Sequence, residues 1–558
     1  MKILATFFVL ALGITTPAQR ASIPARLQKG QALLNAKDYA GAAAEFEAVT
    51  VADPTRAQAW YLWAYSLHAG GEQDKAIPLY EKSAATPATR ASSSYNLACI
   101  YAQKPSKTKA LDWLEKALSA GFENRFLLQT DPDLEALRKD KRFLAMAPPI
   151  REGAECFVEP TRVLRTFVGE APDDQFGWVA RKVGDLDGDG VIDFATSSPT
   201  STRGGPSAGS VYVYSSRTGK LLFRKDGAPG QTLGNGVGSA GDVNGDGTPD
   251  VIVGAPGYPR IAGRAYVYSG VGGAVLLDLT VGQVGDSFGL KVCGVGDLDG
   301  DGRAEVAVGA NRASPQTRQG AGAVHVFGGT GELLFTIDGE AAGDSFGSAV
   351  DADLDPGHRR LIVGAMNAGQ RGKVYVYELS AEGAEIAFTI DPIASSRNLG
   401  QYFVADVGDV DGDGVHDVYA ADFNDNNSTG RVVVHSGANG KQLLELRGQR
   451  PGEGLGTSPS AAGDIDGDGC ADLIVGAWQN GEHARSAGKC YLFSGRTGEQ
   501  LGTITSREPH DTFGFDATGL GDVDGDGQID YLVTSAWAPV KGPKTGRVFI
   551  LAGTKPRR

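Results

Sequence analysis

The sequence predicts a multidomain repeat protein: an N-terminal α-helical solenoid followed by an all-β ring of seven four-stranded units. Three observations predict it. Small and large side chains recur every 34 residues near the N-terminus. Acid-rich turns such as "GDLDGDG" then recur in units of 55 to 58 residues from Asp185 onwards. The last unit lacks one strand, and a segment that fits the gap stands ahead of the first unit.

Bulk composition sets the bounds. A chain of 558 residues is too long for one ordinary domain. It is 41% hydrophobic and 22% charged, and its 79 glycines point to many turns rather than to disorder. A formal charge of −14 argues against a nucleic-acid binder, whose mark is a basic patch. Lys2, an apolar run from Ile3 to Ile14, and small residues at Thr16 and Ala18 read as a signal peptide over residues 1–18. That run is too short to cross a bilayer, which takes about 20 residues, and no later stretch qualifies. The expected location is secreted or periplasmic, in the cell envelope, with no transmembrane span in the mature chain. Cysteines at 99, 156, 293, 470 and 490 are too scattered for a disulfide framework, although a bridge from Cys156 stays open.

The helical part comes first. Ala42, Ala76 and Ala110 are 34 residues apart, as are Gly30, Ala64 and Ala98, and Phe46, Tyr80 and Leu114. Small residues suit the close approach of two helices in a hairpin, and large ones fill the gaps between hairpins. "DYAGAAAEFEAV", "DKAIPLYEKSA" and "TKALDWLEKAL" are expected as second helices of three units, and "DPDLEALRKDKRFLAM" as a capping pair. In period and pattern, residues 23–146 resemble tetratricopeptide repeats. Trp60, Tyr61 and Trp63 are expected to pack between helices, with a peptide groove as the alternative. Residues 147–160 read as a linker.

From there the helical pattern gives way to short alternating strands. Each unit opens on a Phe-Gly or Leu-Gly pair (176, 233, 288, 346, 399, 455 and 513) and runs through an acid loop into a strand such as "VIVGAP". A variable loop leads to "GSVYVYS" and then to "GKLLFRKDG". Four strands in each of seven units predict a seven-bladed β-propeller over residues 161–553. The last unit stops at its third strand, "GRVFILAG", and "TRVLRTFVGE" (161–170) fits as the missing fourth. Pairing the two would close the ring without an open edge. The motifs "DSFG", "GDLDGDG" and "VGAP" together resemble the FG-GAP repeats of integrin α-subunit propellers and of many secreted bacterial proteins. That resemblance implies the propeller fold; it implies much less about function, because the fold serves adhesion, assembly and ligand binding alike.

The acid loops carry the chemistry. In the first, Asp185, Asp187, Asp189 and Asp193 stand at positions 1, 3, 5 and 9, and the carbonyl of Val191 offers a further oxygen. Hard oxygens at alternating positions suit Ca²⁺, which takes six to eight at about 2.3–2.6 Å. An EF-hand would place a bidentate Glu at position 12 and helices on either side; here position 12 is Thr196 and the flanks are β-rich. The stretch instead resembles the calcium-binding β-hairpin loop of FG-GAP blades. Matching sets are Asp409, Asp411, Asp413, Val415 and Asp417; Asp464, Asp466, Asp468, Cys470 and Asp472; and Asp522, Asp524, Asp526, Gln528 and Asp530. Asp242, Asn244, Asp246, Thr248 and Asp250 exchange one charge for an amide, and Asp297, Asp299, Asp301, Arg303 and Glu305 end in a longer acid. The loop near residue 351 has Arg360 where the closing acid belongs, so no metal is expected there. Like charges this close repel unless a cation intervenes. Up to six Ca²⁺ are therefore expected, in a structural role.

No convergent catalytic set is visible. The histidines are dispersed, His416 stands at a loop position with no ligand role, and no nucleophile elbow or zinc-protease motif occurs. The expectation is a non-enzymatic protein-interaction or adhesion scaffold. Its candidate ligand residues follow the second strands, on the face opposite the acid loops: Tyr258, Arg260, Phe423, Trp478 and Trp537. Partners are expected to be a protein or a cell-surface polysaccharide. A lectin-like propeller and a hydrolase using carboxylates from distant blades remain as alternatives.

Overall fold

A computed structural model describes residues 23–257, 259–353, 359–458 and 461–553. The chain divides between Pro149 and Ile150 into two compact units.

The first unit is a run of antiparallel helix pairs: Ile23–Asn35 with Tyr39–Ala52, Ala57–Ala69 with Gln73–Ala84, and Pro87–Ala102 with Lys107–Ser119. The short elements Arg125–Thr130, Pro132–Leu137 and Lys141–Met146 follow. The 34-residue positions are its core: Ala42, Ala64, Ala76, Ala98 and Ala110 are fully buried, and so are Phe46, Tyr80 and Leu114. Gly30 shows why a small residue is needed, since a Cβ there would stand 2.7 Å from the Phe46 ring. Trp60, half-buried, lies with its ring centroid 5.6 Å from that of Trp63 and donates from Nε1 to the Pro54 carbonyl.

The second unit is seven antiparallel sheets of four strands each. Blade 1 comprises Ala180–Gly184, Asp193–Ser198, Ser210–Tyr214 and Leu221–Asp226, and blades 2 to 6 repeat that order. Blade 7 takes Ala517–Gly521, Asp530–Ser535 and Arg547–Leu551 from the C-terminus. Its outer strand is Val163–Val168, which pairs antiparallel to Arg547–Leu551 with Phe167 opposite Val548. First strands of neighbouring blades pack side by side at six of the seven junctions, including that of blades 7 and 1, and blades 5 and 6 share one buried apolar cluster, so the ring is closed.

The Phe-Gly and Leu-Gly pairs are the joints between blades. Phe176, Leu233, Phe288, Phe346, Leu399, Leu455 and Phe513 are all buried to 2% exposure or less. Most of them bridge in parallel to a glycine that leads the third strand of the preceding blade, such as Gly209 to Leu233. At Gly209, with φ +77°, a Cβ would lie 2.3 Å from the Leu233 carbonyl oxygen, so only glycine permits the joint.

One expectation needs correcting, and one open question closes. Residues 150–160 are not a free linker: the segment packs on the propeller, with Phe157 bridged to Ser506 and Cys156 fully buried in the blade 6–7 core. Cys156 forms no disulfide; all five cysteines are free and buried. The expected signal peptide, residues 1–18, lies outside the described residues.

Candidate functional site

The acid loops join the first and second strands of their blades, so they share one face of the ring. Loops between second and third strands, and those leading into the next blade, lie on the other.

Each acid loop folds around its own carboxylates. Asp185 accepts from the N–H groups of Gly188 (2.8 Å), Asp189 (3.1 Å) and Gly190 (2.8 Å), and Asp189 accepts from Val191 N (2.9 Å). Gly188 and Gly190, at φ +76° and +83°, supply the left-handed turn this needs. The pattern repeats at Asp242, Asp409, Asp464 and Asp522, each accepting three backbone bonds. In the third loop, Asp297 takes Gly300 and Gly302. Thr248, Arg303, Val415, Cys470 and Gln528 repeat the Val191 bond, donating from their N–H to position 5.

The closing acids do more than the pattern foretold. Asp193, Asp250, Asp417, Asp472 and Asp530 are buried to 1% exposure or less. One oxygen of each accepts from the residue after position 1, as in Leu186 N to Asp193 (2.9 Å). The other accepts from the turn after the third strand: Ser216, Gly270, Gly437, Gly495 and Gly553, at 2.8–3.0 Å. The closing acid thus fastens two hairpins of one blade together. Glu305 keeps the bond from Leu298 N, but among the described residues it has none to its following turn.

Burial raises these carboxyls, and neighbouring acids add to the effect. Asp193, Asp417 and Asp472 rise to about 6 and Glu305 to about 7. Asp250 and Asp530 also rise, burial again being the largest cause. In three loops a guanidinium leans on the acids: Arg217 on Asp189 (3.4 Å), Arg496 on Asp468 (3.1 Å) and Arg162 on Asp526 (2.9 Å).

The donor set fits a hard divalent cation. One oxygen from each of Asp185, Asp187 and Asp193 lies within 4.8 Å of the others; so do those of Asp297, Asp299 and Glu305, and of Asp409, Asp411 and Asp417. Two oxygens on one Ca²⁺ cannot be much more than about 5 Å apart, given bonds of about 2.3–2.6 Å.

Blade 4 is built differently. Asp351 lies within the strand Phe346–Asp353 and faces the central channel, where it accepts from Asp406 N (3.2 Å). Arg360, at the closing position, is buried and pairs with Glu378 across the sheet (2.7 Å). Nor is His416 a bystander. Its Nδ1 stands 3.2 Å from Asp353 and 3.0 Å from Asp406, and these carboxylates raise the imidazole to about 10.

On the opposite face the ring centre opens into a cavity of about 250 Å³. Trp478 and Trp537 line it edge to face, with centroids 4.8 Å apart, and Phe515 stands 5.5 Å from Trp478. Trp178 packs 5.0 Å from Phe515, and Phe403 packs 5.9 Å from Phe423 in blade 5. So the structure brings Phe423, Trp478 and Trp537 together. Tyr258 lies outside the described residues, and Arg260 is exposed and does not line the cavity. Sequence reasoning missed Trp178, Tyr402, Phe403 and Phe515. Their signal was an aromatic residue one to three places beyond the Phe-Gly or Leu-Gly pair.

The wall also holds Arg181, Lys291 and Asp516. Arg181 is paired with Asp516, which accepts as well from Ala180 N (3.1 Å). Lys291 Nζ lies 5.5 Å from the Tyr402 ring centroid and 5.9 Å from that of Phe403. Burial and the nearby Arg181 lower its amine to about 8.

Comparison with known proteins agrees with this architecture. Residues 176–214, 234–268 and 288–327 match the FG-GAP repeat, 409–475 an FG-GAP-like repeat, and 27–91 a tetratricopeptide repeat. Integrin alpha-4 of Xenopus laevis is 29% identical over 210 residues, or 34% of this chain and 20% of the relative. Human integrin alpha-IIb is 34% identical over 212 residues, with the same coverage. Integrin alpha-PS2 of Drosophila melanogaster is 36% identical over 159 residues, 26% of this chain and 11% of the relative. The match thus spans a fifth or less of these relatives. The chain carries FG-GAP repeats in a seven-bladed propeller similar to that part of the integrin α subunits, preceded by tetratricopeptide repeats.

Proposed function

We propose that this protein is an exported, calcium-binding scaffold that holds a protein partner by the propeller face opposite its acid loops and acts by binding, not by turnover. The observation that carries the reading is the division of labour between the two faces. One face commits its acids to folding six loops and to fastening hairpins, a structural task. The other gathers aromatic side chains from several blades at the ring centre, where well-packed aromatic anchors contribute most to recognition. Similarity to integrin α subunits supports an adhesive or assembly role. Among the described residues no helix is long and apolar enough to cross a membrane.

In this reading calcium rigidifies the loops. The position 1, 3, 5 and 9 side chains and the position 7 carbonyls would hold it, from Asp185 to Asp530. A cation among three or four carboxylates relieves their mutual repulsion and lets the buried closing acids ionise. The partner face depends on it indirectly, through blade geometry.

Capture on the immobilised mature chain tests the reading, with envelope and secreted extract passed over it in calcium and then in EDTA. A discrete protein retained only with calcium is the expected outcome. Retained polysaccharide would replace the scaffold with a lectin, and a column that retains neither would overturn both.

A further inference from the structure

The central cavity has a charge of its own. Arg181 and Asp516 neutralise each other, and Asp516 is further held by Ala180 N. Lys291 has no carboxylate within ion-pair distance among the described residues. It rests against the Tyr402 and Phe403 rings, and the cavity lining carries one more positive charge, from Arg181 and Lys291, than negative, from Asp516. A desolvated cation without a counter-ion is costly, and an anion arriving beside it relieves that cost. Trp537 lines the same wall, and its Nε1 is buried with no hydrogen-bond partner. Both unmet groups are donors.

Size and surface narrow the ligand. At about 250 Å³ the space falls just under the roughly 300–1,000 Å³ of ordinary ligand pockets, which limits it to a small ligand, and one ring with a short charged arm fits. The walls are chiefly aromatic, and the polar groups are few, among them Asn235 and Thr457. A sugar would leave most of its hydroxyls unpaired here. A cationic group would meet Lys291 and Arg181.

We propose that this cavity binds a small organic anion, a single aromatic ring bearing a carboxylate. The ring lies among Trp478, Phe515 and Trp537, and the carboxylate lies on Lys291 Nζ. The proposal stands apart from the scaffold reading, because the cavity can bind such an acid whether or not the face holds a protein. A free aromatic acid and the C-terminal aromatic residue of another chain present the same chemistry.

Titration calorimetry on the full chain tests it with three probes of one shape: phenylacetate, phenylacetamide and phenethylamine. Phenylacetate is expected to bind at least about tenfold more tightly than the amide, and the amine not at all. Lys291→Met should bring phenylacetate down to the level of the amide, and Trp537→Phe should weaken both. The comparison among probes on the unaltered protein stands even if a variant fails to fold. Equal binding of acid and amide, tighter binding of the amine, or no binding of phenylacetate at millimolar concentration would overturn the proposal. A peptide ending in phenylalanine, compared as free acid and as amide, then separates the two sources. A free-acid peptide binding more tightly than phenylacetate assigns the site to a chain terminus, and weaker binding assigns it to a small molecule.

Discussion

Arg547 closes the ring chemically as well as topologically. Its side chain is 1% exposed in the last strand. It donates to Asp511 through Nε (3.0 Å), pairs with that residue again at 2.8 Å, and donates to the Arg151 carbonyl (2.8 Å). Arg547→Met keeps an apolar stem but removes the cation. Asp511, itself fully buried, is then left with Ser506 Oγ as its side-chain donor. Breaking one side of a buried pair costs about 3–5 kcal/mol. The roughly 400 residues of Ile150–Arg558 carry an unfolding entropy of about 2.1 cal/mol/K each, so the melting temperature should fall by about 4–6 °C. Thermal unfolding at pH 7 in saturating calcium, followed by near-UV circular dichroism, measures it. Arg547→Met/Asp511→Leu should recover more than half of the loss, because neither charge remains. A single variant melting with the parent, or a double variant as unstable as the single, would show that the pair does not hold the closure.

Three further outcomes are expected. Asp464→Ala removes the acceptor for three backbone N–H groups and should reduce bound calcium by one ion per chain. Asp351→Asn should leave that number unchanged and should not lower stability at pH 7, since burial already raises this carboxyl to about 6. Equal effects in the two variants would contradict the difference drawn between blades 4 and 6. Without calcium, folded Asp193, Asp417, Asp472 and Glu305 hold protons that the unfolded chain has released, so stability should rise as pH falls from about 7.5 to about 5. Calcium competes with those protons. The melting gain on adding calcium should therefore be larger at the higher pH, and an equal gain at both would count against metal at the closing acids. Gly30→Ala sets a methyl 2.7 Å from the Phe46 ring. Overpacking of about 1–3 kcal/mol should exceed the helix-propensity gain of about 1 kcal/mol, so the helical unit should melt lower; a rise would mean the hairpin is looser than drawn.

Much of this was legible in the sequence because repeats announce themselves. Seven in-phase Phe-Gly or Leu-Gly pairs and one strand out of phase at each end determine blades and closure, and a 34-residue period of Ala, Gly and aromatic positions determines the helix pairs. The missing parts depend on contacts across sequence. That Asp193 reaches Ser216, or Asp472 reaches Gly495, follows from a hairpin folding back over about 20 residues, which no local pattern encodes. His416 looked idle because its partners, Asp353 and Asp406, come from two other strands. Residues 147–160 looked like a linker by their prolines, glycine and charges. Their place is set by two residues far along the chain: Arg547, which bonds the Arg151 carbonyl, and Phe513, whose ring packs 5.1 Å from Phe157. The aromatic cavity was half visible: residues after the second strands were singled out, while those just beyond the Phe-Gly or Leu-Gly pair were not.

Calcium binding and its effect on melting decide whether the acid loops do what is proposed for them. Chelated protein would be titrated with calcium by calorimetry, and its melting followed with and without EDTA. Binding at a hundredfold excess over Kd contributes about 2.7 kcal/mol per site. Six ions per chain, with a propeller transition that falls by about 15–20 °C in EDTA, is the expected result. No bound calcium, or a melting temperature that EDTA leaves unchanged, would mean that the acid turns fold on backbone hydrogen bonds alone.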